Sequence, residues 1–486
     1  MQLFGRKQLF TDVAKIDENN IVEVLNKVLS DHQQNSSQIE YLLNYAKGKQ
    51  PILGRAKEIR KDINEKIVDN MAAEILSFKL GYEFGTPVTY VQRARKGVNN
   101  AGEKLPNEDD FGISALNEMM VEESKSAKDI ELARFIKTCG VGYRLIYPKK
   151  NIVNASVFDY LVLNPMTAFV VYSNDAFKRP MLAVSYAVHE DGSVLFGCYT
   201  DGLYCKIKTS GWAMPDGEII DKEINMLKMI PIIEYINDYD RMGCFERVIP
   251  LMDGLNTVNS DRVNDIAQNV QNLLWGDNVT FDEAQKESLH TNGIVLTQSP
   301  QGQQAILKYL ESKMNQSENQ TVVDYMKQQI LDITSTPSRS ELSGGSTGAA
   351  TNMSSGWMVA ETDAKAKAEI FASAARQETL VILRILEKST DVEPSLAEIK
   401  ISDLDIRFSR SRTYDLATKC NSLATLINVG VDPLKSIEVV GLFTDPQQVA
   451  IDSQERIDEK FFTSKTQGDE PPVVQVDTQK VSASDE

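Results

Sequence analysis

The sequence predicts an α+β protein, because its hydrophobic period changes twice along 486 residues. Up to about residue 139, apolar residues recur every three or four positions, as in helices with one buried face. From Gly142 to about Ile236, β-branched and aromatic runs are bounded by turn residues, which indicates strands. The helical period returns at Pro250. Because 42% of the residues are apolar, the chain can bury a large core, and we expect two to four structural units.

The region from Asp17 to Phe78 is predicted to be helical, with one apolar stripe in each helix. The apolar residues at helical spacing are Ile21, Val24, Leu25, Val28 and Leu29, followed later by Ile59, Ile63, Ile67, Met71 and Ile75. The sequence GYEFGTP at Gly81 to Pro87 is rich in helix-breaking residues, so we expect it to lead into an extended run at Val88 to Val91. One or two further helices are predicted between Leu116 and Ile136.

The middle of the chain is predicted to form strands. The β-rich runs are GYRLIYP, VFDYLVLNP, TAFVVYS, PMLAVSYAVH, SVLFGCYT and LYCKIKT. Asp191-Gly192 and Asp201-Gly202 each lie between alternating apolar runs, where glycine tolerates the positive φ of a type I′ turn. We therefore expect residues 181–209 to form a three-stranded antiparallel meander.

A long helix with one polar face is predicted from Pro250. One side carries Leu251, Leu255, Val258, Arg262, Ile266, Val270 and Leu274, and the mildly acidic opposite side carries Asp253, Thr257, Ser260, Asn264, Gln268 and Gln271. Taken alone, such a face is more often a solvated surface than a functional one. A smaller α+β insert, with a turn at Asn292-Gly293 and a strand at Ile294 to Thr297, is predicted to extend to about residue 318.

Two helices are predicted on either side of a loop at residues 334–355. Ser317 and Gln320 fit a capping box for the first helix, and Pro337 is expected to end it. The loop, TSTPSRSELSGGSTGAATNMSS, is dominated by small and polar residues, so we expect it to be flexible. The Ala-rich stretch that follows favours a long helix, supported by Glu361–Lys365 and Asp363–Lys367 pairs.

The end of the chain is predicted to be helical and then disordered. Apolar residues at helical spacing are Leu416, Leu423, Leu426, Ile437, Val440 and Phe443. The last twenty residues, from Thr466, are polar and acidic, which is typical of a disordered tail.

The charge balance argues against a protein whose main task is tight binding of nucleic acid. The formal net charge is −17, from 69 acidic and 52 basic residues, whereas strong phosphate binding depends on Lys and Arg displacing counterions. If DNA is a partner, we expect it to be held loosely. The N-terminus has no signal-peptide core, and no run of about 18 apolar residues occurs, so secretion and membrane spanning are not expected.

The cysteines and histidines indicate neither a metal site nor a catalytic site. The five cysteines, Cys139, Cys198, Cys205, Cys244 and Cys420, include no CxxC pair, which favours a reduced, intracellular origin. Cys198 and Cys205 are expected on adjoining strands, where buried free thiols are the commoner outcome. His32, His189 and His290 lie in separate segments and are expected to be structural or surface residues.

Two functional classes remain open from the residues alone, a structural protein without catalysis and a metal-dependent nucleic-acid hydrolase. The chain lacks the phosphate-binding motif GxxxxGK[ST], so we do not expect it to hydrolyse ATP, and no cofactor is indicated. A hydrolase would use carboxylates such as Asp238 and Asp240 of NDYD, but no third ligand accompanies them in a recognisable motif. We therefore favour a protein that is not an enzyme.

The order of these signals resembles the portal proteins of tailed bacteriophages, in particular the group typified by Bacillus phage SPP1. The stretches that carry the resemblance are YLLNYAKGKQPI at 41–52, NMAAEILSFKLGYEFGTPVTY at 70–90, GVGYRLIYP at 140–148, LNPMTAFVVYSNDAFKRPMLAVSY at 163–186 and MIPIIEYINDYDRMGCFERVIPLMDGLNTVNSDRVNDI at 229–266. The last stretch is the most specific. Together they cover about half of the chain.

The resemblance implies the portal architecture and divides the chain accordingly. Its parts would be a wing at 1–244, a stem helix at 245–276, a clip at 277–318, a second stem helix at 319–333, a tunnel loop at 334–355, a long helix joining the wing at 356–388, a helical crown at 389–465 and a disordered tail at 466–486. Asp253, Thr257, Ser260 and Asn264 would line the tunnel on the first stem helix. Ser338, Arg339, Ser340, Glu341 and Ser343 would belong to the tunnel loop, where Arg339 would touch phosphate.

The resemblance also implies partners and a place in the virus. Such proteins assemble as cyclic rings, usually dodecamers, at one capsid vertex of the virion, and they are assembled in the bacterial host cytoplasm. The implied partners are double-stranded DNA without sequence specificity, the major capsid protein, scaffolding protein, terminase and a head–tail adaptor protein. Another ring component of the phage neck or baseplate is the nearest alternative. It would lack a loop between two stem helices.

Overall fold

The computed structural model shows two compact units, Met1–Arg410 and Ser411–Glu486. It describes residues 5–58, 61–92, 113–149, 156–212, 217–270, 274–277, 306–309, 316–338, 356–389, 392, 394–408, 410, 416–443, 449, 453 and 456. The predicted turn at Asn292-Gly293, the strand at Ile294 to Thr297 and the tail from Thr466 lie outside these residues.

The first unit contains both helices and strands, which confirms the α+β class. Its helices are α1 (Ile21–Ala46), α2 (Met71–Phe84), α3 (Ile113–Glu122), α4 (Lys125–Cys139), α5 (Ile249–Val270), α6 (Gln316–Ile333), α7 (Trp357–Lys388) and the short α8 (Pro394–Ala397), with 3-10 turns at Pro51–Gly54, Glu246–Val248 and Ile401–Asp403. Its strands are β1 (Leu9–Thr11), β2 (Thr89–Gln92), β3 (Val141–Pro148), β4 (Phe158–Leu163), β5 (Ala168–Ser173), β6 (Pro180–Val188), β7 (Val194–Tyr199), β8 (Leu203–Thr209), β9 (Glu218–Ile224), β10 (Ile232–Ile236), β11 (Leu274–Asp277), β12 (Ile306–Tyr309) and β13 (Leu404–Arg407).

A six-stranded sheet with the order β1-β5-β6-β7-β8-β9 contains the predicted meander. Strands β6, β7 and β8 pair antiparallel, which confirms the prediction for residues 181–209. The predicted type I′ turns are wrong, since that turn needs positive φ at both central residues. At the first hairpin only Gly192 has positive φ, +80°, within a three-residue loop closed by the bond from the His189 N–H to the Ser193 carbonyl. At the second, Gly202 does not have positive φ.

Strand β1 is an addition that the sequence patterns did not reveal. It pairs parallel with β5, Leu9 opposite Val171, although the two segments are far apart in the chain. Three residues are too few to show a hydrophobic period, so the pairing partner alone defines this strand. Its one neighbour places it at the edge of the sheet.

The remaining strands form smaller sheets around the helices. Strands β10, β3 and β4 make an antiparallel sheet, β11 pairs with β12, and β13 pairs with β2. The core has several parts: α1 packs on one face of the six-stranded sheet, the three-stranded sheet packs near its other face, and a third cluster joins α3, α4 and α7 to β4 and β10. A fourth joins α1, α2, α5 and α6.

The long helix α7 is tied to the three-stranded sheet by a buried ionic network. Arg144 of β3 and Glu378 of α7 are fully buried, and their side chains are 2.9 Å apart. Tyr160 and Tyr235 donate hydrogen bonds to the same carboxylate, and Arg144 also lies 2.8 Å from the carboxylate of Asp129 on α4. Because buried charges are tolerated only with partners, this network fixes α7 at one position along the sheet.

Residues 61–70, which we call the strap, are not helical as predicted. Ile63 is buried, and no regular secondary structure is assigned between residue 63 and the start of α2. The four-residue spacing of the isoleucines therefore does not reflect a helix in this segment. The strap's backbone N–H groups bond to side chains of α5 instead of to carbonyls four residues earlier.

The second unit has two described helices, α9 (Leu416–Asn428) and α10 (Pro433–Val440). Both fall in the predicted helical region. The Asp432 side chain accepts a hydrogen bond from the Lys435 N–H and caps α10, and Pro433 occupies the first helical position.

The cysteines agree with the prediction of buried free thiols on adjoining strands. Cys198 lies directly opposite Cys205 in the β7–β8 pair, and both are buried free thiols. Of the helices that the structure describes, none combines the length and the apolar character needed to cross a bilayer.

Candidate functional site

The candidate site comprises helices α5 and α6 and the junction between α6 and α7. Helices α5 and α6 pack antiparallel, because Gly254 lies near Met326 while Arg262 donates to Gln320, 3.1 Å away. Met252, Leu255, Val323 and Ile330 form the apolar contact between them. The pair confirms the two predicted helices, and its α5 side carries the four residues predicted to line a tunnel.

Asp253 and Thr257 occupy the part of the polar face nearest the start of α5. Thr257 is exposed, and its hydroxyl donates to the Asp253 carbonyl at 2.9 Å. The Asp253 carboxylate is half-buried and accepts a 2.8 Å hydrogen bond from the hydroxyl of Tyr45 on α1. Burial raises the pKa of Asp253, and the Tyr45 bond partly offsets that rise. These two residues remain compatible with a solvent-facing surface.

Ser260 and Asn264 are not solvent-facing, so the predicted polar face of α5 is not exposed to solvent along its whole length. Ser260 is 0% exposed and Asn264 is 1% exposed. Both side chains are covered by the strap and bonded to its backbone. The periodicity placed them correctly on one face of α5 but could not show that another segment of the same chain covers that face.

The strap and α5 form a ladder of side-chain-to-backbone hydrogen bonds with three rungs. Asn256 accepts from the N–H of Asp69 at 2.7 Å, which is the first rung. Ser260 accepts from the N–H of Ile67 at 2.9 Å. Asn264 accepts from the N–H of Glu65 at 2.7 Å and donates to the Glu65 carbonyl at 3.1 Å. Side chains of α5 thereby satisfy these three N–H groups, because the backbone groups in the middle of a helix bond within the helix itself.

The spacing of the ladder follows from helix and strand geometry. Four helical residues advance about 6 Å, and two residues of an extended chain advance about 6.6 Å. Every fourth residue of α5 can therefore meet every second residue of the strap. Ion pairs reinforce the arrangement, with Lys327 of α6 2.9 Å from Asp69 and Arg55 2.5 Å from Asp261.

Asn256 is a residue of this arrangement that the sequence analysis missed. It is 0% exposed, lies four residues before Ser260, and donates its amide hydrogen bond to Gln50. The polar residues at 256, 260 and 264 are a visible signal of a polar stripe on α5. Their partner could not be inferred, because the strap's side chains were assigned to a helix.

The junction between α6 and α7 contains the predicted tunnel loop. Its first five residues, 334–338, are described, whereas Arg339, Ser340, Glu341 and Ser343 lie outside the described residues. The two ends are close together, since a Cβ built on Gly356 would lie 3.8 Å from the Cα of Pro337. The chain therefore leaves α6 and enters α7 at neighbouring points.

The carboxylates of NDYD are engaged in ion pairs. Arg247 lies 2.7 Å from Asp240 and 3.5 Å from Asp238, and Asp238 also accepts from the backbone N–H of Met242. Among the residues that the structure describes, no group of three or more His, Cys, Asp or Glu side chains could hold a metal ion. A cationic partner at these carboxylates disfavours a metal-dependent hydrolase.

Two of the three histidines, His32 and His189, have the structural or surface positions that were expected. His32 is buried against Phe169 and its Nε2 lies 3.0 Å from the hydroxyl of Tyr186. Burial lowers the pKa of His32 to about 4, although its contact with the Met166 carbonyl acts in the opposite direction. His189 is exposed at a hairpin, and His290 lies outside the described residues.

Comparison with known proteins gives a match over most of the chain. A family model described as phage portal protein, SPP1 Gp6-like, matches residues 25–460. The match begins within α1 and extends beyond α10, and it includes the strap and the α6–α7 junction. No curated protein matches the sequence.

Proposed function

The chain belongs to the SPP1 Gp6-like family of phage portal proteins, and from this membership we propose that it forms the ring-shaped channel for packaging, retention and ejection of double-stranded DNA. The match over residues 25–460 carries the proposal. Portal proteins are structural components of the capsid vertex. We propose that this one assembles in the host cytoplasm and contacts the major capsid protein, scaffolding protein, terminase and a head–tail adaptor protein there.

The portal domains are assigned as part of the same proposal. The mixed region to residue 244 is the wing, α5 and α6 are the stem helices at 245–276 and 319–333, and 277–318 is the clip. The segment 334–355 is the tunnel loop, and α7 is the long helix at 356–388 that returns to the wing. The region 389–465 is the crown, which we propose to begin after the end of α7.

Exposed apolar side chains on the stem helices support assembly into a ring. They are Val263 (39% exposed), Ile266 (49%), Val322 (44%), Tyr325 (63%) and Ile333 (51%). Helices α5 and α6 bury other faces against each other, so these side chains remain exposed within one subunit. A neighbouring subunit would cover them. We propose a closed ring of twelve subunits.

Ring assembly can be tested by placing a charge on this surface. We expect Val322→Asp combined with Tyr325→Asp to release smaller species, because two carboxylates would be desolvated at the interface. Gln328→Asp is the matched control, since Gln328 is an exposed residue of the same helix. Native mass spectrometry and negative-stain imaging measure the outcome. A wild-type protein that stays monomeric over a wide range of concentration would contradict the proposal.

The channel surface is proposed to include Asp253 and Thr257 but not the side chains of Ser260 and Asn264, which the strap covers. The acidic chain, with a net charge of −17, favours sliding of DNA over tight binding. We propose that Ser338, Arg339, Ser340, Glu341 and Ser343 of the tunnel loop approach the moving duplex.

The loop's role can be tested separately from folding. We expect deletion of residues 338–348, or Arg339→Ala combined with Glu341→Ala, to leave ring assembly and thermal stability nearly unchanged. Packaging or retention of DNA should decrease. Procapsids that contain these rings are filled, and the length of encapsidated DNA is measured. Full-length genomes, retained normally, would show that the segment is only a linker.

A further inference from the structure

Helix α2 contacts both ends of the segment that joins α6 to α7. Three side chains on one side of α2 face this junction: Phe78, Lys79 and Tyr82. The helix belongs to the mixed region far from the junction in sequence, so the contact is long-range. It gives the junction a support that neither α6 nor α7 provides.

Lys79 lies at the centre of this contact. Its side chain is 1% exposed, and its Nζ is 2.6 Å from the carboxylate of Asp363 in the second turn of α7. The same Nζ donates to the carbonyl of Ser335, 3.3 Å away, just after α6 ends. A single ammonium group therefore joins three elements. A buried lysine is stable only when such partners compensate its lost hydration.

The end of α6 is shaped so that its carbonyl reaches Lys79. Ser335 has a φ of +51°, which is uncommon for a residue with a side chain. The N–H of Thr336 bonds to the Leu331 carbonyl at 2.9 Å, and the hydroxyl of Thr334 donates to the Ile330 carbonyl. These bonds close the helix and leave the Ser335 carbonyl as the acceptor for Lys79.

The start of α7 is held by the same face of α2. The ring of Trp357 lies edge-on to the rings of Phe78 and Tyr82, with centroids 5.7 Å apart in each case. Tyr82 donates a hydrogen bond to Glu361, and Arg410 lies 3.2 Å from the same carboxylate. Carboxylates in the first turns are favourable near the positive end of the helix dipole.

Asp363 is charged at neutral pH and has two cationic partners. Lys367, one turn later on α7, is 3.0 Å from it and is partly exposed. Burial acts to raise the pKa of Asp363, but Lys79 and Lys367 outweigh it and lower that pKa. Lys367 can keep the carboxylate charged without Lys79. The distinctive contribution of Lys79 is thus the link to α2 and Ser335.

We propose that Lys79 is a positioning residue that couples the end of α6 and the start of α7 to α2, so that both ends of the intervening segment move as one body with the mixed region. The proposal rests on the geometry of described residues and does not depend on DNA passing near that segment. According to this proposal, Lys79, a residue outside α6 and α7, determines the positions of both ends of the segment between these helices.

Hydrogen exchange of the full-length assembled protein tests the coupling. We expect Lys79→Met to raise amide exchange at 334–338 and at 358–366 by about tenfold or more, because both ends lose their shared anchor. Lys365→Met is the matched control. Lys365 is 70% exposed and pairs only within α7, with Glu361 at 3.5 Å among the contacts described, so exchange should change less than about twofold.

A second variant separates the two arms of the link. Asp363→Asn weakens the contact with α7 and leaves the bond from Lys79 to Ser335, so exchange should rise at 358–366 and stay unchanged at 334–338. This variant decides the matter if Lys79→Met does not fold. Unchanged exchange at both ends in Lys79→Met would overturn the proposal. So would an equal rise in α1 and in β6 to β8, which would show that Lys79 contributes only to global stability.

Discussion

At the scale of single residues, the chain keeps the carboxylate of Glu234 in its interior by giving it several partners. Glu234 accepts two bonds from Arg241, at 2.7 and 2.6 Å, and further bonds from the hydroxyls of Tyr143 and Tyr172. Burial acts to raise the pKa of Glu234, but Arg241 and the tyrosines lower it overall. Sequence patterns do not reveal the tyrosine partners, because Tyr143 and Tyr172 come from strands distant in the chain.

His32 gives the protein a pH-dependent stability. Its pKa is about 4 in the folded chain, and an unfolded histidine has a pKa near ~6.5. Below about pH 6.5 the unfolded state binds the proton more readily, so stability falls as the pH decreases towards 4. We expect a loss of about 2 kcal/mol between pH 7.5 and pH 5.

His32→Gln should lack this part of the pH dependence. Glutamine can still donate to the Met166 carbonyl but does not titrate. Urea denaturation of both proteins at pH 7.5 and 5 measures the difference. Equal slopes with pH in the two proteins would show that His32 does not carry the effect.

At the scale of elements, strands and long helices were predictable and their unusual contacts were not. The meander and helices α5, α6 and α7 follow from hydrophobic period, turn residues and helix-forming composition. The strap was wrongly predicted to be a helix because Ile59, Ile63 and Ile67 have helical spacing. Its backbone N–H groups bond instead to side chains of α5. Two of the four candidate tunnel residues, Ser260 and Asn264, were misjudged as exposed for the same reason.

The ladder should contribute measurably to stability. Ser260→Ala removes the acceptor of the Ile67 N–H, and a buried donor left without a partner costs about 1–3 kcal/mol. Thr257→Ala is the control on the same face, because Thr257 is exposed and should change stability by less than about 0.5 kcal/mol. Chemical denaturation gives both values. Similar effects for the two variants would rule out the ladder as the cause.

The buried network should anchor α7 more strongly than any exposed pair. Arg144→Met leaves the carboxylate of Glu378 buried without its cation, and such a loss costs about 3–5 kcal/mol. Arg384→Met, which breaks the partly exposed Arg384–Glu387 pair on the same helix, should cost less than about 1 kcal/mol. The melting temperatures of the two variants distinguish these cases. Equal shifts would contradict the anchoring role.

At the scale of the whole molecule, the acidic chain suits the proposed conduit, whose surface must let DNA slide instead of binding it tightly. The net charge is −17, although individual basic side chains such as Lys79 and Arg144 are used inside the protein and are unavailable to phosphates. The proposed ring multiplies this negative charge around one axis. Composition alone indicated that DNA, if it is a partner, is held loosely, whereas the proposed ring rests on the family match and on the exposed apolar residues of α5 and α6.

Isolated rings should bind duplex DNA weakly. Non-specific binding that depends on basic side chains has a Kd of roughly 10⁻⁴–10⁻⁶ M, and we expect these rings at the weak end or beyond it at physiological salt. The affinity of the rings for DNA should depend only weakly on salt concentration, because few phosphates are neutralised. Fluorescence anisotropy with a labelled duplex measures both. Submicromolar binding at physiological salt would contradict a sliding surface.

The length of the strap–helix ladder is limited, because the spacing between rungs differs slightly between α5 and the strap. Each rung advances about 6 Å along α5 and about 6.6 Å along the strap, so the mismatch grows by roughly 0.6 Å per rung. Three rungs keep the accumulated offset within what hydrogen-bonding side chains absorb, and longer ladders would drift out of reach. Beyond the rung at Asn256, the next positions are Met252 and Met71, which join the apolar core. A helix can therefore grip an extended segment in this way only over a short length, and one inserted residue in the strap would put every later rung out of step.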